Sequence, residues 1–381
     1  METIGIAGAG FAGAVLAREL VESGKYQVVI FEQRDHIAGN CHTVRDPKTQ
    51  VMIHQYGPHI FNTSREDVWD YVNRFGKFMP FMNRVKAVTE KGMFSLPINL
   101  MTINQFFDKT MSPEEAKEFI SQIGDSSIEN PQSFEDQALK FLGPDLYKNF
   151  FYGYTKKQWG VEPKELPASI LQRLPIRFNY DDNYFTSRFQ GIPEEGYTKI
   201  VERILDHPMI SVQLGEPFVP EYKKEFKHIF FSGPMDAYFQ YKLGRMNYRS
   251  LIFDRFDGKG DMQGNAVINY CSQEVPYTRI SEHKHFAPWE THEESVSFRE
   301  YSKLAEEGDI PYYPMRLAED KELLARYMEL AEAEKGLSFI GRLGTYRYLD
   351  MHVVIGESLD LAKACLAESS DAWPKYSGKP L

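Results

Sequence analysis

The chain opens on a short apolar run, Ile4-Gly5-Ile6-Ala7, then a glycine-rich turn, then Ala14, Val15, Leu16, Ala17 and Leu20. A short apolar run bounded by glycine reads as a buried strand, and the longer segment after the turn as a helix. Past Gly24, Gln27-Val28-Val29-Ile30-Phe31 reads as a second buried strand, so the first 40 residues predict a βαβ unit. A helix is predicted from near Ser64, whose hydroxyl would cap Glu66 and Asp67, to near Gly76. Further helices are predicted at Ser112-Pro113-Glu114-Glu115, at Ser133-Phe134-Glu135-Asp136 and after Gly143-Pro144.

The pattern changes from about Asn247. Arg249 to Arg255, Asn265 to Tyr270 and Val296 to Tyr301 are β-branched or aromatic runs split by Gly, Asn and Pro, which predicts an antiparallel sheet. Between the helical middle and this sheet, Lys199 to Leu205 reads as a helix, and Ile210 to Val212 and His228 to Gly233 as strands. That order returns the chain to its first sheet. Ala318 to Lys335 reads as a charged amphipathic helix, Ser338 to Ile340 as a strand and Glu357 to Leu366 as a terminal helix. The expected fold class is therefore α/β: a Rossmann-like domain, discontinuous, with a helical insert and an antiparallel β-sheet insert.

Composition narrows the function. The 381 residues suggest two or three domains, and 42% hydrophobic residues suffice for real cores. With 44 Lys+Arg against 54 Asp+Glu, the net charge of −10 argues against broad nucleic-acid binding. An anionic substrate would need a local group of arginines to overcome that field. Cys41, Cys271 and Cys365 are too few and too far apart for a disulfide scaffold or a zinc site, so no metal is expected and the setting reads as reducing and cytoplasmic. Neither a signal peptide nor a membrane helix is expected from the sequence pattern.

Gly8-Ala9-Gly10-Phe11-Ala12-Gly13 is G-x-G-x-x-G between a predicted strand and a predicted helix. The first glycine permits a tight turn, the second lets backbone approach a pyrophosphate, and the third lets helix and strand pack closely. The helix N-terminus then offers free N–H groups to phosphate. Glu32 ends the second strand 19 residues past Gly13, where a carboxylate accepts from an adenosine ribose. The motif in this context predicts a dinucleotide without choosing between NAD and FAD.

Glu32 through Asn40 (EQRDHIAGN) and His54 through Phe61 (HQYGPHIF) resemble the flavin-binding segments of bacterial UDP-galactopyranose mutases. So do Gly153 through Gly160 (GYTKKQWG), Asn183-Tyr184-Phe185 with Gln190 through Pro193, and Gln263 through Asn269. Val275 through Ile280 with Glu282 through Phe286, Pro311-Tyr312-Tyr313-Pro314, and Gly341-Arg342-Leu343 with Tyr346 through Met351 look like the same family. The matches run in order over nearly the whole chain.

The resemblance implies an FAD-dependent mutase, active with reduced flavin, that interconverts UDP-galactopyranose and UDP-galactofuranose. Flavin N5 would attack the anomeric carbon and expel the nucleotide diphosphate. It implies that residues 1–80, 192–245 and 317–381 form the FAD-binding domain. A helical domain with a substrate lid would occupy 100–176, and the antiparallel sheet domain 81–99, 177–191 and 246–316.

Arg173 and Arg279 match the family's diphosphate-binding arginines, a task that suits a guanidinium fork. Tyr184, Tyr313 and Tyr348 match hydroxyls on the same phosphates, Tyr154 and Phe151 a uracil platform, and Trp159 a tryptophan on the lid. Thr155, Phe185, Asn83, Asn269 and Arg249 are carried over as further substrate contacts. For the cofactor the matches are Gly8, Gly10, Phe11, Gly13, Glu32, Gln33, Arg34, Gly39, Asn40, Ile60, Arg342, Asp350 and Met351, with His59 beside the isoalloxazine. Cys41, with no base beside it, reads as packing.

Two positions depart from the family pattern. Ala38 stands where a glycine is usual, an added methyl expected to cost little. Asn62 stands where the pattern has a histidine, at a position near flavin and sugar counted with Arg173, Arg279 and His59 as a catalytic group. This leaves UDP-N-acetylgalactosamine or dTDP-fucose as alternative substrates. A flavin amine oxidase on the same scaffold, or a redox-silent nucleotide-sugar sensor, are the other readings. Expected partners are a nucleotide-diphosphate sugar, a cellular flavin reductant and a second copy of the chain in a homodimer.

Overall fold

A computed structural model of the chain describes residues 1–173 and 176–378, leaving aside the side chains of Ser169, Gln172, Arg173 and Ala318. The strand Glu2–Ala7 lies inside a five-stranded parallel sheet, between Tyr26–Glu32 and His228–Phe231. Ile210–Leu214 and Leu337–Phe339 are its edges. Neighbouring residues along a strand face opposite sides, and each side has its own core. Ile4, Ile6, Val28, Ile30 and Phe230 pack under the helix Phe11–Glu22. Ile229, Phe231 and Phe339 pack with Leu324 and Tyr327 of the helix Ala318–Ala333.

Every residue from Phe11 to Ala17 is buried, because this helix is wedged between the sheet and the long helix Met351–Ala367. A helix covered on all sides is apolar on all sides, and its alanines allow the close approach. Met351–Ala367 begins at Met351, ahead of the expected Glu357. Asp350, a residue type favoured at helix starts, precedes it with extended backbone but makes no side-chain cap.

The helical insert comprises Leu100–Phe107, Pro113–Ile123, Phe134–Leu146 and Gly153–Trp159. The helices at Ser112 and Ser133 start where the sequence predicts, and the structure adds reciprocal capping boxes, Ser112 with Glu115 and Ser133 with Asp136. Ser64 differs from expectation. The helix there runs Glu66–Asn73 with Arg65 at its N-cap, and the Ser64 hydroxyl accepts the Arg188 N–H at 3.2 Å. No described helix is long and apolar enough to cross a membrane.

The β insert is a seven-stranded sheet that also takes in the hairpin Val85–Thr89 and Gly92–Leu96. It is not purely antiparallel. Val267–Tyr270 pairs antiparallel with its neighbour Arg279–Glu282 on one side and in parallel with Val85–Thr89, a strand from a distant part of the chain, on the other. The expected boundary between 191 and 192 falls inside the strand Phe189–Pro193. That strand pairs with Phe61–Thr63 and Phe78–Pro80, so ladder hydrogen bonds tie it to the first segment.

A Cβ on Gly13 would stand 2.1 Å from the Gly8 carbonyl oxygen, a backbone atom that cannot swing away. Gly13→Ala is therefore expected to lower stability by ~1–3 kcal/mol, the usual effect of overpacking. Urea unfolding checks it, and a wild-type midpoint would show that helix and strand have room to separate.

Candidate active site

Gly8 has φ +104°, donates its N–H to the Phe31 carbonyl at 2.8 Å, and leaves no space for a Cβ, which would meet Ser232 Oγ at 2.1 Å. Gly10 and Gly39 face one another, so two backbones without side chains form one wall. The helix that follows has no side-chain cap, and its first N–H groups and positive dipole end border a cavity lined by Phe11 and Ala12. The cavity has a volume of about 1170 Å³ and runs from this turn to the seven-stranded sheet.

Around the turn the polar atoms interlock. Glu32 is buried, accepting the Ala9 N–H at 2.8 Å and the Arg34 N–H at 3.0 Å. Its carboxylate thus orients the turn, and each oxygen keeps a lone pair for a ribose hydroxyl. Arg34 donates to Asn40 Oδ1 at 2.8 Å and lies 4.4 Å over the Tyr56 ring, while its Nη1 is buried without a partner. Ala38 has φ +73°, so the cost of replacing glycine is conformational, ~1–2 kcal/mol, rather than a matter of the added methyl. Burial pushes the Cys41 thiol up to about 12, which leaves it unreactive.

At the other end, Arg279 lies on the strand Arg279–Glu282 opposite Glu300 of Glu294–Leu304. Its Nε donates to Glu300 Oε2 at 2.7 Å, with the carboxylate almost fully buried. Burial opposes the Arg279 charge, but Glu300 and the neighbouring tyrosines Tyr154 and Tyr313 hold it well above the ordinary value. Arg342 donates to the carbonyls of Leu349 and Tyr312 and lies 5.0 Å from the Tyr348 ring, which stacks on Tyr313. His59 Nδ1 sits 2.7 Å from the Gly57 carbonyl, so that nitrogen carries the proton and Nε2 accepts. Asn62 is buried, and its Oδ1 accepts from Ser187 Oγ at 2.9 Å.

The cavity therefore brings together Gly8, Gly10, Phe11, Glu32, Gln33, Arg34, Gly39, Asn40, His59, Ile60, Asn62, Asn83, Tyr154, Tyr184, Phe185, Asn269, Arg279, Tyr313, Arg342, Tyr348, Asp350 and Met351. Gly13 acts from behind the wall, through packing. Four expected substrate contacts do not line it. Phe151 is buried in the helical insert against Phe134, Thr155 is buried, and Trp159 packs half-buried on the same core. Arg249 is buried with its guanidinium on the Lys157 and Gln158 carbonyls and on Ser302 Oγ. These bonds cap the end of the helix Gly153–Trp159, so Arg249 is occupied as a helix tie. The side chain of Arg173 lies outside the described residues.

Tyr56, Ser187 and Glu300 were not singled out from sequence. Glu300 left a trace, since a carboxylate inside the run Val296 to Tyr301 stands where the pattern calls for burial.

The turn, the parallel sheet and the cavity between sheet and inserts define an α/β enzyme built on a dinucleotide-binding Rossmann domain. The family profile described as UDP-galactopyranose mutase matches residues 149–348, and one described as NAD(P)-binding Rossmann-like domain matches residues 6–75. The chain is 58% identical over 366 residues to a probable UDP-galactopyranose mutase of Klebsiella pneumoniae, covering 96% of this chain and 95% of that protein. It is 49% identical over 378 residues to a dTDP-fucopyranose mutase of Escherichia coli, covering 97% and 100%. A crystal structure of reduced UDP-galactopyranose mutase shares the fold, with TM-score 0.75 at 15% identity over 98% of both chains. The chain belongs to the UDP-galactopyranose mutase family and is an isomerase.

Burial, then the facing Arg342 and Arg279, pushes His59 down to about 4 from 6.5, despite the Gly57 carbonyl. A depressed folded value means that stability is fully present above pH 6.5 and is lost as pH falls through 4. Melting temperature is expected to decline over that window and to decline less steeply in His59→Gln. Parallel slopes would show that His59 takes up its proton freely in the folded state.

Proposed function

We propose that the chain is a reduced-FAD-dependent mutase that interconverts UDP-galactopyranose and UDP-galactofuranose. The observation that carries this reading is Arg279, held by buried Glu300, in the same cavity as the Gly8 to Gly13 turn. The residues present fit FAD. Arg34 Nη1, beside the turn, is a buried polar atom with no partner, and the glycine wall leaves space for a pyrophosphate.

In this reading the glycine turn, Glu32 and Arg34 hold the adenosine diphosphate half, and Arg342, Asp350, Met351 and His59 border the ring system. Reduced flavin, when bound, supplies a nucleophilic nitrogen for the anomeric carbon. Arg279 stabilises the charge that builds on the departing diphosphate, its fork aimed by Glu300 so that little reorganisation is needed. Tyr313 and Tyr348 donate to the same oxygens, and burial keeps Tyr313 protonated for that role. Neutral His59 offers an acceptor at Nε2 without adding a cation. A cellular reductant, a homodimer and a cytoplasmic setting belong to the same reading.

Purified protein is expected to be yellow, to release FAD on denaturation, and to turn over UDP-galactofuranose only after dithionite reduction. Equal turnover without reductant refutes the reduced-flavin mechanism. Arg279→Ala is expected to lower kcat/KM by ~10²-fold or more; a change of only a few-fold removes Arg279 from the diphosphate.

The relatives divide between a probable UDP-galactopyranose mutase and a dTDP-fucopyranose mutase, and in this reading Asn62 is the residue that tells such sugars apart. Ser187 occupies one lone pair of its carbonyl and fixes the amide, which leaves the N–H₂ and the second lone pair for sugar hydroxyls. Comparing kcat/KM for UDP-galactofuranose, UDP-N-acetylgalactofuranose and dTDP-fucofuranose in wild type and Asn62→His tests this. Asn62→His is expected to change the ratios, and unchanged ratios remove position 62 from selectivity.

A further inference from the structure

The helix Gly153–Trp159 carries Tyr154 into the cavity, and Asn269 and Arg279 enter from two paired strands of the sheet. These two strands are joined by the loop 271–278, whose backbone wraps around one side chain. Lys157 Nζ lies 2.8 Å from each of the carbonyl oxygens of Tyr270, Ser272, Val275 and Tyr277. Gly153, one turn earlier on the same helix face, meets the same loop, where a Cβ would stand 2.3 Å from the Cys271 carbonyl oxygen. Glycine thus brings the loop backbone against the helix, and the lysine gathers its carbonyls.

We propose that Lys157 is a positioning residue for the nucleotide-diphosphate site, tying the Tyr154 helix to the loop that joins Asn269 and Arg279; this rests on the functional reading above. An ammonium has three N–H groups, so four carbonyls at one distance saturate it, one N–H being shared. No carboxylate lies within ion-pair range of it among the described residues, so the backbone dipoles alone hold the charge. Burial pushes Lys157 down to about 8, as expected of an ammonium partly withdrawn from water. The neighbouring Lys156 has a different task, pairing with Glu162 at the surface at 2.6 Å.

The tie sets the spacing between three cavity groups on two separate units. Arg249 and Ser302 hold the end of the helix to the sheet, and Lys157 holds the loop; without it, the helix stays in place and the loop loses its fixed position beside it. The expected signature is in nucleotide recognition, with cofactor binding left intact, because the dinucleotide turn lies on a different sheet.

The test is UDP binding to FAD-loaded wild type, Lys157→Met and Lys156→Met, followed by flavin fluorescence, together with FAD content and steady-state kinetics. Lys157→Met is expected to weaken UDP by ~10-fold or more, the scale of a misplaced positioning group. Its KM should rise more than its kcat falls, with FAD content unchanged, and Lys156→Met should match wild type. Should Lys157→Met not yield folded protein, Lys157→Arg decides: it keeps the charge on a longer, planar head, and the same rise in KM is expected. Wild-type UDP affinity in whichever folded Lys157 variant is measured overturns the inference alone. A wild type that ignores UDP overturns the functional reading and this one with it.

Discussion

The active site depends on keeping positive charge in place inside an acidic protein. Arg279 is the clearest case. A guanidinium withdrawn from water is costly unless it is paired and hydrogen-bonded, and Glu300 supplies both from the adjacent strand. Because the carboxylate takes Nε, the two terminal nitrogens are left for an anion. Arg342, Arg249 and Lys157 are held differently, by backbone carbonyls, which lend partial negative charge without neutralising the cation. The global charge of −10 repels a diphosphate, so the local arrangement must overcome it at short range.

This division explains which residues were legible in the sequence. The βαβ unit, the glycine turn and Glu32 could be read because a backbone constraint fixes both residue type and spacing there. Strand and helix patterns likewise showed that the chain returns to its first sheet and that helices start at Ser112 and Ser133. Arg249 could not be assigned in this way. An arginine inside a β-rich run carries no sign of whether its head will meet a ligand or a helix end, and only the helix carbonyls beside it settle the matter. Phe151 and Trp159 pose the same difficulty, since an aromatic ring suits a core and a stacking platform equally well. The parallel pairing of Val267–Tyr270 with Val85–Thr89 was also hidden, because a pairing between distant strands leaves no turn to read.

The helical insert meets the sheet where its helix end is most exposed to strain. Gly160 closes that helix with φ +73°, and a Cβ there would strike the Arg249 guanidinium at 2.5 Å. Helix ends leave carbonyls unsatisfied, and here two cations and Ser302 collect them or the loop beside them. The consequence is a short helix held to the sheet at its C-terminal end by these bonds, in addition to the core that the helical insert shares with the sheet residues Val85, Ala87 and Val267.

The same logic bears on the sugar end. His59 is kept neutral by burial and by the two arginines that face it, and Asn62 has no charge to gain. In the proposed reading the arginines Arg34, Arg279 and Arg342 serve phosphate or the cofactor, and the groups assigned to the sugar end, His59 and Asn62, bring acceptors and amide donors. A neutral amide fixed by Ser187 discriminates by hydrogen bonding and shape, and both differ between a galactose hydroxyl, an acetamido group and a deoxy carbon. A site arranged to pair a hydroxyl rejects an analogue that lacks it, because its own buried polar group is then left unpaired. In the proposed reading, substrate choice therefore rests on what the Asn62 amide finds opposite it, while the groups proposed for the diphosphate do not read the sugar.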